Sequence, residues 1–513
     1  MAFASLLEHV GGMGRFQVLS VLLLSLPVLM MASHNLLQNF TAAGSEHRCR
    51  PRPEANATGL DAEALLRVWV PRGERCRRFV APQWWLLEAN GSAPNGSSGP
   101  ETEPCGDGWI YDRSVFTSTI ITEWDLVCSS RGLKQLAQSL YMAGVLVGGG
   151  SCREGFGRRS VLTWCYLQMA VMGTCSSFAP TFSMYCLFRF LTGMAFSGIV
   201  LNGVSLSMEW MPTHMRALVG TFMGYCYTVG QFLLAGVAFA IPDWRRLQLV
   251  VSLPFFGFFL YSWWLTESAR WLVMVGRSHQ ALRELQKVAR INGKKEEGDK
   301  LDIEVKGSGR VPQGGPGVFA YYGLAMDLQN FEFNIYIIQL IFGAVDIPAK
   351  LVSVLTITYV GRRFTQAFAL ILAGLAILAN TLVPRGEPGG GGCGVPSALT
   401  SLVGPPGWVV SAFSGGFTPN SGVPQELWVS HRQTGMGLAN TMSRLGSIMA
   451  PLMKMAGELF PALPFIIYGA APVVSGLVAV FLPETRNMAL PETVEEVEGR
   501  APPKSSALDA PSG

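Results

Sequence analysis

The chain has 513 residues, 49% of them hydrophobic and only 14% charged, with a formal net charge of +4. Soluble globular domains carry about 25% charged residues, so this composition and a mean hydropathy of +0.31 exclude an ordinary soluble enzyme. The small net charge says little about partners, and no basic block points to nucleic acid. Many apolar runs are long enough to cross the roughly 30 Å hydrocarbon core of a bilayer.

The first apolar run begins near Phe16 and is long enough to span, so it is expected to stay as the first helix and not be cleaved as a leader. It contains His34, the only histidine in an apolar span, which reads as a packed or capping side chain. A long polar segment, 40–134, follows. Beside or within it lie all four Asn-x-Ser/Thr sequons of the chain, at Asn39, Asn56, Asn90 and Asn95. Glycosylation is lumenal, so this loop is expected outside the cell. The same loop holds Cys49, Cys76, Cys105 and Cys128. An even set in an oxidising compartment predicts two disulfides, with three pairings open. The other six cysteines sit mostly in apolar spans and are read as structural.

Clear spans are predicted at 16–38, 160–179, 182–206, 217–241, 246–265, 333–358, 366–384, 434–455 and 461–482. Weaker stretches at 135–151, 317–329 and 397–416 bring the number to twelve. Arg158, Arg159, Arg362, Arg363 and Arg432 lie opposite the sequons, as does the basic segment 266–316. Short positive loops mark the cytoplasm, which places both termini there. The expected organisation is a cytoplasmic N-terminus (1–15), a six-helix half (16–265), a cytoplasmic loop (266–316), a second half (317–482) and a cytoplasmic tail (483–513).

The halves echo each other. Gly157-Arg158-Arg159 recurs as Gly361-Arg362-Arg363, and Thr266-Glu267-Ser268-Ala269-Arg270 as Pro483-Glu484-Thr485-Arg486, at offsets of about 204 and 217 residues. Secondary transporters use such repeats to place a site between two halves.

The residues themselves resemble a known family. Asn35-Leu36-Leu37-Gln38-Asn39-Phe40-Thr41, Glu123-Trp124-Asp125-Leu126-Val127-Cys128, Glu209-Trp210-Met211-Pro212, Glu267-Ser268-Ala269-Arg270-Trp271, Phe319-Ala320-Tyr321-Tyr322-Gly323 and Arg432-Gln433-Thr434-Gly435-Met436-Gly437 are similar to the organic anion transporters, a solute carrier branch of the major facilitator superfamily. The likeness is closest to the renal dicarboxylate-exchanging members. It implies an all-α membrane protein of twelve helices in two six-helix halves, in the plasma membrane, with a glycosylated first loop and a central pocket that opens alternately to each side. It implies exchange of aromatic carboxylates, sulfate conjugates or urate for an internal dicarboxylate such as 2-oxoglutarate, with no cofactor, metal or ATP. No phosphate loop, metal spacing or nucleophile elbow appears in the chain, so an enzyme is not expected.

Lys350 and Arg444 lie inside predicted spans, where a charge is costly and belongs in the bundle interior or a wet cavity. Arg can grip a carboxylate with two parallel hydrogen bonds. No acid lies within a turn of Arg444, whereas Asp346 could bridge Lys350 at i, i+4. Both positions match the family's anion-binding pair. Tyr227, Tyr321, Tyr322, Met31 and Asn35 match its pocket positions. Arg158, Arg159, Glu267, Arg270, Arg362, Arg363, Glu426 and Glu484 match its gating motifs, in which an acid pairs with a helix end.

Three stretches depart from the family: 148–155 at the end of helix 2, 306–317 before helix 7, and 388–429 at helix 10, all rich in glycine or in Gly and Pro and poor for helix formation. They read as truncations or alterations of these helices. They leave open a transport-dead glycoprotein from a defective transcript, beside a urate or monocarboxylate carrier on the same scaffold.

Overall fold

The computed structural model describes residues 7, 11–52, 61–71, 73–87, 100–151, 156–212, 215–299, 335–360, 362–382, 445, 448–449, 453 and 463–480. Apart from two small ladders in the loop segment, the regular structure among these is helical. The first helix, α1 (Arg15–Leu36), continues through a short turn of helix, α2 (Gln38–Thr41). Next come β1 (His47–Cys49), α3 (Ala62–Trp69), β2 (Arg77–Phe79), β3 (Thr102–Pro104), β4 (Trp109–Tyr111) and α4 (Ile120–Trp124). The bundle resumes with α5 (Leu133–Ser151), α6 (Arg158–Ser177), α7 (Phe182–Glu209), α8 (Arg216–Ala240), α9 (Trp244–Ser252) and α10 (Pro254–Ser262). Beyond them lie α11 (Ala269–Met274), α12 (Ser278–Ile291), α13 (Ile335–Tyr359), α14 (Arg362–Leu382) and α15 (Leu463–Val480). Four of these stretches, Arg15–Thr41, Phe182–Glu209, Leu218–Ala240 and Ile335–Val352, are long and apolar enough to cross a membrane by themselves.

Two expectations change. The span predicted over 246–265 is two helices, because Pro254 has no N–H to continue the ladder of α9 and opens α10 instead. Helix 2 is not cut short: α5 has 19 residues and runs through Gly148, Gly149 and Gly150 to Ser151, a rise of about 28 Å. Its glycines let two backbones meet. A Cβ on Gly144 would lie 2.0 Å from the Phe190 carbonyl oxygen, and one on Gly148 2.4 Å from that of Met194. A glycine every fourth residue therefore seats α5 on α7. The weaker spans at 317–329 and 397–416 lie outside the described residues, as does most of 434–455.

The internal repeat has a structural counterpart. Arg158 and Arg362 each open a helix of about equal length, α6 with 20 residues and α14 with 21.

The largest apolar cluster of the first half runs from Met31 on α1 through Tyr141, Tyr166, Phe196 and Phe255 to Leu285 and Val288 on α12. Helix α12 is amphipathic: Ala281, Leu285, Val288 and Ala289 face this core, while Arg283, Lys287 and Arg290 are exposed. Asn292, just past its end, ties it to α1 by accepting from the Phe16 N–H at 3.0 Å and donating to Gln17 Oε1 at 3.0 Å.

The loop segment folds into its own small unit. β1 pairs with β4 and β2 with β3, both antiparallel. Disulfides join Cys49 to Cys105 and Cys76 to Cys128, with Cα atoms 5.4 and 5.7 Å apart, which selects one of the three pairings. Arg78, 2% exposed, sits at the centre. It donates to Glu103 at 2.8 Å and to the Arg50 carbonyl at 3.2 Å, and pairs with Asp107. That guanidinium holds the Asp107 carboxyl below the ordinary carboxylate range. The pairing is therefore complete at neutral pH and is lost as pH falls through the depressed Asp107 value. Burial and the Asp125 carboxylate, 2.8 Å from its hydroxyl, push the Tyr111 phenol up.

Candidate functional site

The residues of α1 and α8 that were expected to line a pocket come together because Gly230 allows close crossing: a Cβ there would lie 1.9 Å from the Leu29 carbonyl oxygen. This crossing brings the Asn35 side-chain amide to the Tyr227 hydroxyl, a hydrogen bond of 2.8 Å. Met31, one turn before Asn35, is 2% exposed and belongs to the apolar core beside it. Tyr321, Tyr322 and Arg444 lie outside the described residues.

Lys350 is 4% exposed on α13. Its ammonium donates to Thr228 Oγ1 at 2.6 Å and to the Gly224 carbonyl at 2.8 Å, both on α8, and to the Asp346 carboxylate one turn back. The Thr228 hydroxyl also donates to Asp346. All three ammonium protons thus have partners, and the i, i+4 bridge that competed with an anion-ligand role is formed. The cluster pins α13 to the face of α8 that also carries Tyr227. Sequence reading had weighed Asp346, but Thr228 and Gly224 carried no signal, since each needs the partner helix to acquire a role.

At the opposite end of the bundle from the loop unit, Glu267 acts on backbone and not on an arginine side chain. Its carboxylate accepts the N–H groups of Arg158 at 2.9 Å, Arg159 at 3.1 Å and Ser268 at 3.0 Å. It therefore caps α6, where orphan donors and the positive end of the helix dipole favour a carboxylate. Gly157 makes room: its φ is +87°, and a Cβ would lie 2.5 Å from Glu267 Oε2. The Arg158 side chain instead reaches Glu209 at the end of α7, with Nε 3.7 Å from Oε1. The Arg159 side chain reaches the Trp263 carbonyl oxygen. Arg270 lies within electrostatic reach of Glu209. The family resemblance implied a pairing of Glu267 with Arg270, and Glu267 here accepts from the backbone N–H groups at the start of α6. The residue missed as a participant is Glu209, whose role depends on where α7 stops. Arg362 and Arg363 open α14 at the matching place in the second half, and Glu426 and Glu484 lie outside the described residues.

Glu267→Ala is expected to lower stability by about 1–2 kcal/mol, the usual cost of a lost cap. Glu267→Gln, which keeps an acceptor oxygen, should lose less. Thermal unfolding of the purified protein measures both, and an unchanged midpoint for Glu267→Ala would remove the cap from the account.

Asn39 is 4% exposed, with Phe40 and Thr41 each at 1%, inside the helical turn that ends the first span. Asn56, Asn90 and Asn95 lie outside the described residues. His34 is fully enclosed, its ring edge-on to Phe255 at 5.3 Å. The one His/Cys group among the described residues with metal-like spacing is His47 with Cys76 and Cys128, and both of its sulfurs belong to a disulfide.

The family model for "Sugar (and other) transporter" matches residues 116–311. Solved structures of the xylose transporter XylE from E. coli, partially occluded and inward-open, and of a D-xylose-proton symporter superpose with TM-scores of 0.57 and 0.56. They cover 93% and 92% of this chain and all of theirs, at 15% and 14% identity, a likeness of fold alone. Solute carrier family 22 member 6-A of Xenopus laevis is 48% identical over 99% of this chain and 96% of its own length. Member 6 of Oryctolagus cuniculus is 49% identical over 98% and 95%. Organic anion transporter 3 of Pongo abelii is 46% identical over 97% and 94%. At such identity along nearly its whole length, the chain belongs to the organic anion transporters of solute carrier family 22, multi-pass membrane proteins of the major facilitator fold.

Proposed function

We propose that this chain carries small organic anions across the plasma membrane by alternating access between its two halves, in exchange for an internal dicarboxylate such as 2-oxoglutarate. The observation that carries the reading is near end-to-end identity of 46% to a relative named organic anion transporter 3 and of 49% to solute carrier family 22 member 6. Arg444 is the anion ligand in this reading, because Lys350 is already held by Asp346, Thr228 and Gly224. Tyr321, Tyr322, Tyr227 and Asn35 line the pocket around it. Aromatic carboxylates and sulfate conjugates fit such a cationic, aromatic-walled pocket. The 19-residue α5 supports a transporting protein over a transport-dead one as far as the length of helix 2 is concerned.

In this reading both termini are cytoplasmic, the Glu267 cap belongs to the inner gate, and the disulfide-bonded unit faces outward. Peptide-N-glycosidase should then shift the mobility of the expressed protein. Asn56→Gln, Asn90→Gln and Asn95→Gln should each remove part of that shift, and Asn39→Gln none. A protein lacking glycan at all of Asn56, Asn90 and Asn95 would overturn the topology.

The functional test is uptake of a labelled aromatic carboxylate by expressing cells, against vector controls and against a labelled quaternary ammonium. Anion uptake several-fold above control, with none of the cation, is the expected result. Uptake of the cation alone would refute the proposed charge selectivity.

A further inference from the structure

Arg189 is fully enclosed on α7, seven residues after Phe182, about 10 Å into the bundle from the end bearing the loop unit. Its guanidinium carbon lies 4.4 Å from the centre of the Tyr141 ring. Among the described residues, neither Nε, Nη1 nor Nη2 has a hydrogen-bond partner. The described groups around it bring no compensating charge. From α5 come Tyr141 and, one turn earlier, Gln138, which is 1% exposed with both amide atoms unbonded. From α1 comes His34, within electrostatic reach of Arg189. Its own helix adds Tyr185 and Cys186, also within reach. None is a carboxylate. Glu123 sits next to the aromatic layer of Trp124 and Trp244 that packs on Tyr185, where it is held by Arg245 and the Trp244 indole.

We propose that Arg189 anchors a buried site for a small monovalent inorganic anion of chloride's size, in the first half of the bundle and separate from the central pocket. A full positive charge enclosed at membrane depth is unfavourable unless an opposite charge accompanies it. Stacking on Tyr141 offsets only part of this. Water could satisfy the three unbonded nitrogens but not the charge, whereas an anion does both through charge-assisted hydrogen bonds. Gln138, one turn before Tyr141 on α5, is a further buried amide without a partner among the described residues. Complete enclosure excludes an organic acid, and a single cation matches a single negative charge. The site stabilises the first half, and it stands whether or not the central pocket carries organic anions.

The test is thermal unfolding of the purified full chain, titrated with sodium chloride against sodium gluconate at constant ionic strength, with no organic substrate. A saturable chloride-dependent rise in Tm is expected. It should be lost in Arg189→Met, need higher chloride in Arg189→Lys, and persist in Arg444→Ala. If Arg189→Met does not fold, crystals of the parent protein grown in sodium bromide decide, through an anomalous peak beside the guanidinium. The proposal is overturned if the parent shows no chloride-specific rise or if the rise survives in Arg189→Met. Loss of the rise in Arg444→Ala, or a bromide map empty at Arg189, overturns it equally.

Discussion

Arg444→Asp is expected to abolish uptake of aromatic carboxylates, and Arg444→Lys to lower it roughly tenfold to a hundredfold, at unchanged surface level. Arg444 stands in an apolar run, with Glu426 and Glu458 its nearest acids in the chain. In the proposed reading a carboxylate or sulfate substrate supplies its countercharge. Lys keeps the charge but loses the two parallel hydrogen bonds of the guanidinium. A hydrogen bond to a charged group contributes about 1.5–3 kcal/mol, and about 1.4 kcal/mol is a factor of ten. Asp repels the substrate outright and could admit cations. Uptake normalised to surface biotinylation is the measurement. Parental uptake by Arg444→Asp would make Arg444 a structural residue.

The Lys350–Asp346 pair gives the other large effect. Both side chains are nearly buried, and removing one partner of such a pair costs about 3–5 kcal/mol, because the other charge is left uncompensated. Lys350→Ala and Asp346→Asn should therefore reduce folded protein at the surface to a similar extent. The double variant Lys350→Met/Asp346→Leu should recover most of it, since an apolar pair of similar volume needs no countercharge. Surface yield and thermal unfolding of the three variants decide. If Lys350→Ala folds normally yet loses dicarboxylate exchange, while Asp346→Asn is unaffected, Lys350 binds substrate and the bridge is incidental.

Much of the fold was legible because membrane spans announce themselves by length and apolarity. The starts of α6 and α14 were marked by the repeated Gly-Arg-Arg. What escaped depended on a second helix. Gly148 fell in a stretch read as a truncation and Gly144 drew no reading, yet each touches the backbone of α7, a role visible only once the two helices are paired. Arg189 passed unnoticed inside a run that otherwise looked uniformly apolar, since its stacking partner Tyr141 lies 48 residues away in the sequence. Glu267 was expected as one half of a gating pair with Arg270, whereas its carboxylate accepts from backbone N–H groups at the start of α6. Asn39 carries a sequon that local pattern cannot distinguish from an exposed one. Its burial follows from α2 packing Phe40 against Tyr336 of α13, with ring centres 5.6 Å apart.

The most direct test of the central claim is exchange in proteoliposomes holding the purified chain. Vesicles loaded with 2-oxoglutarate, compared with empty ones, are presented with a labelled aromatic carboxylate outside. The account predicts uptake several-fold faster into loaded vesicles, accompanied by release of internal 2-oxoglutarate. Equal, background-level accumulation in both, from protein that is folded and correctly inserted, would contradict it.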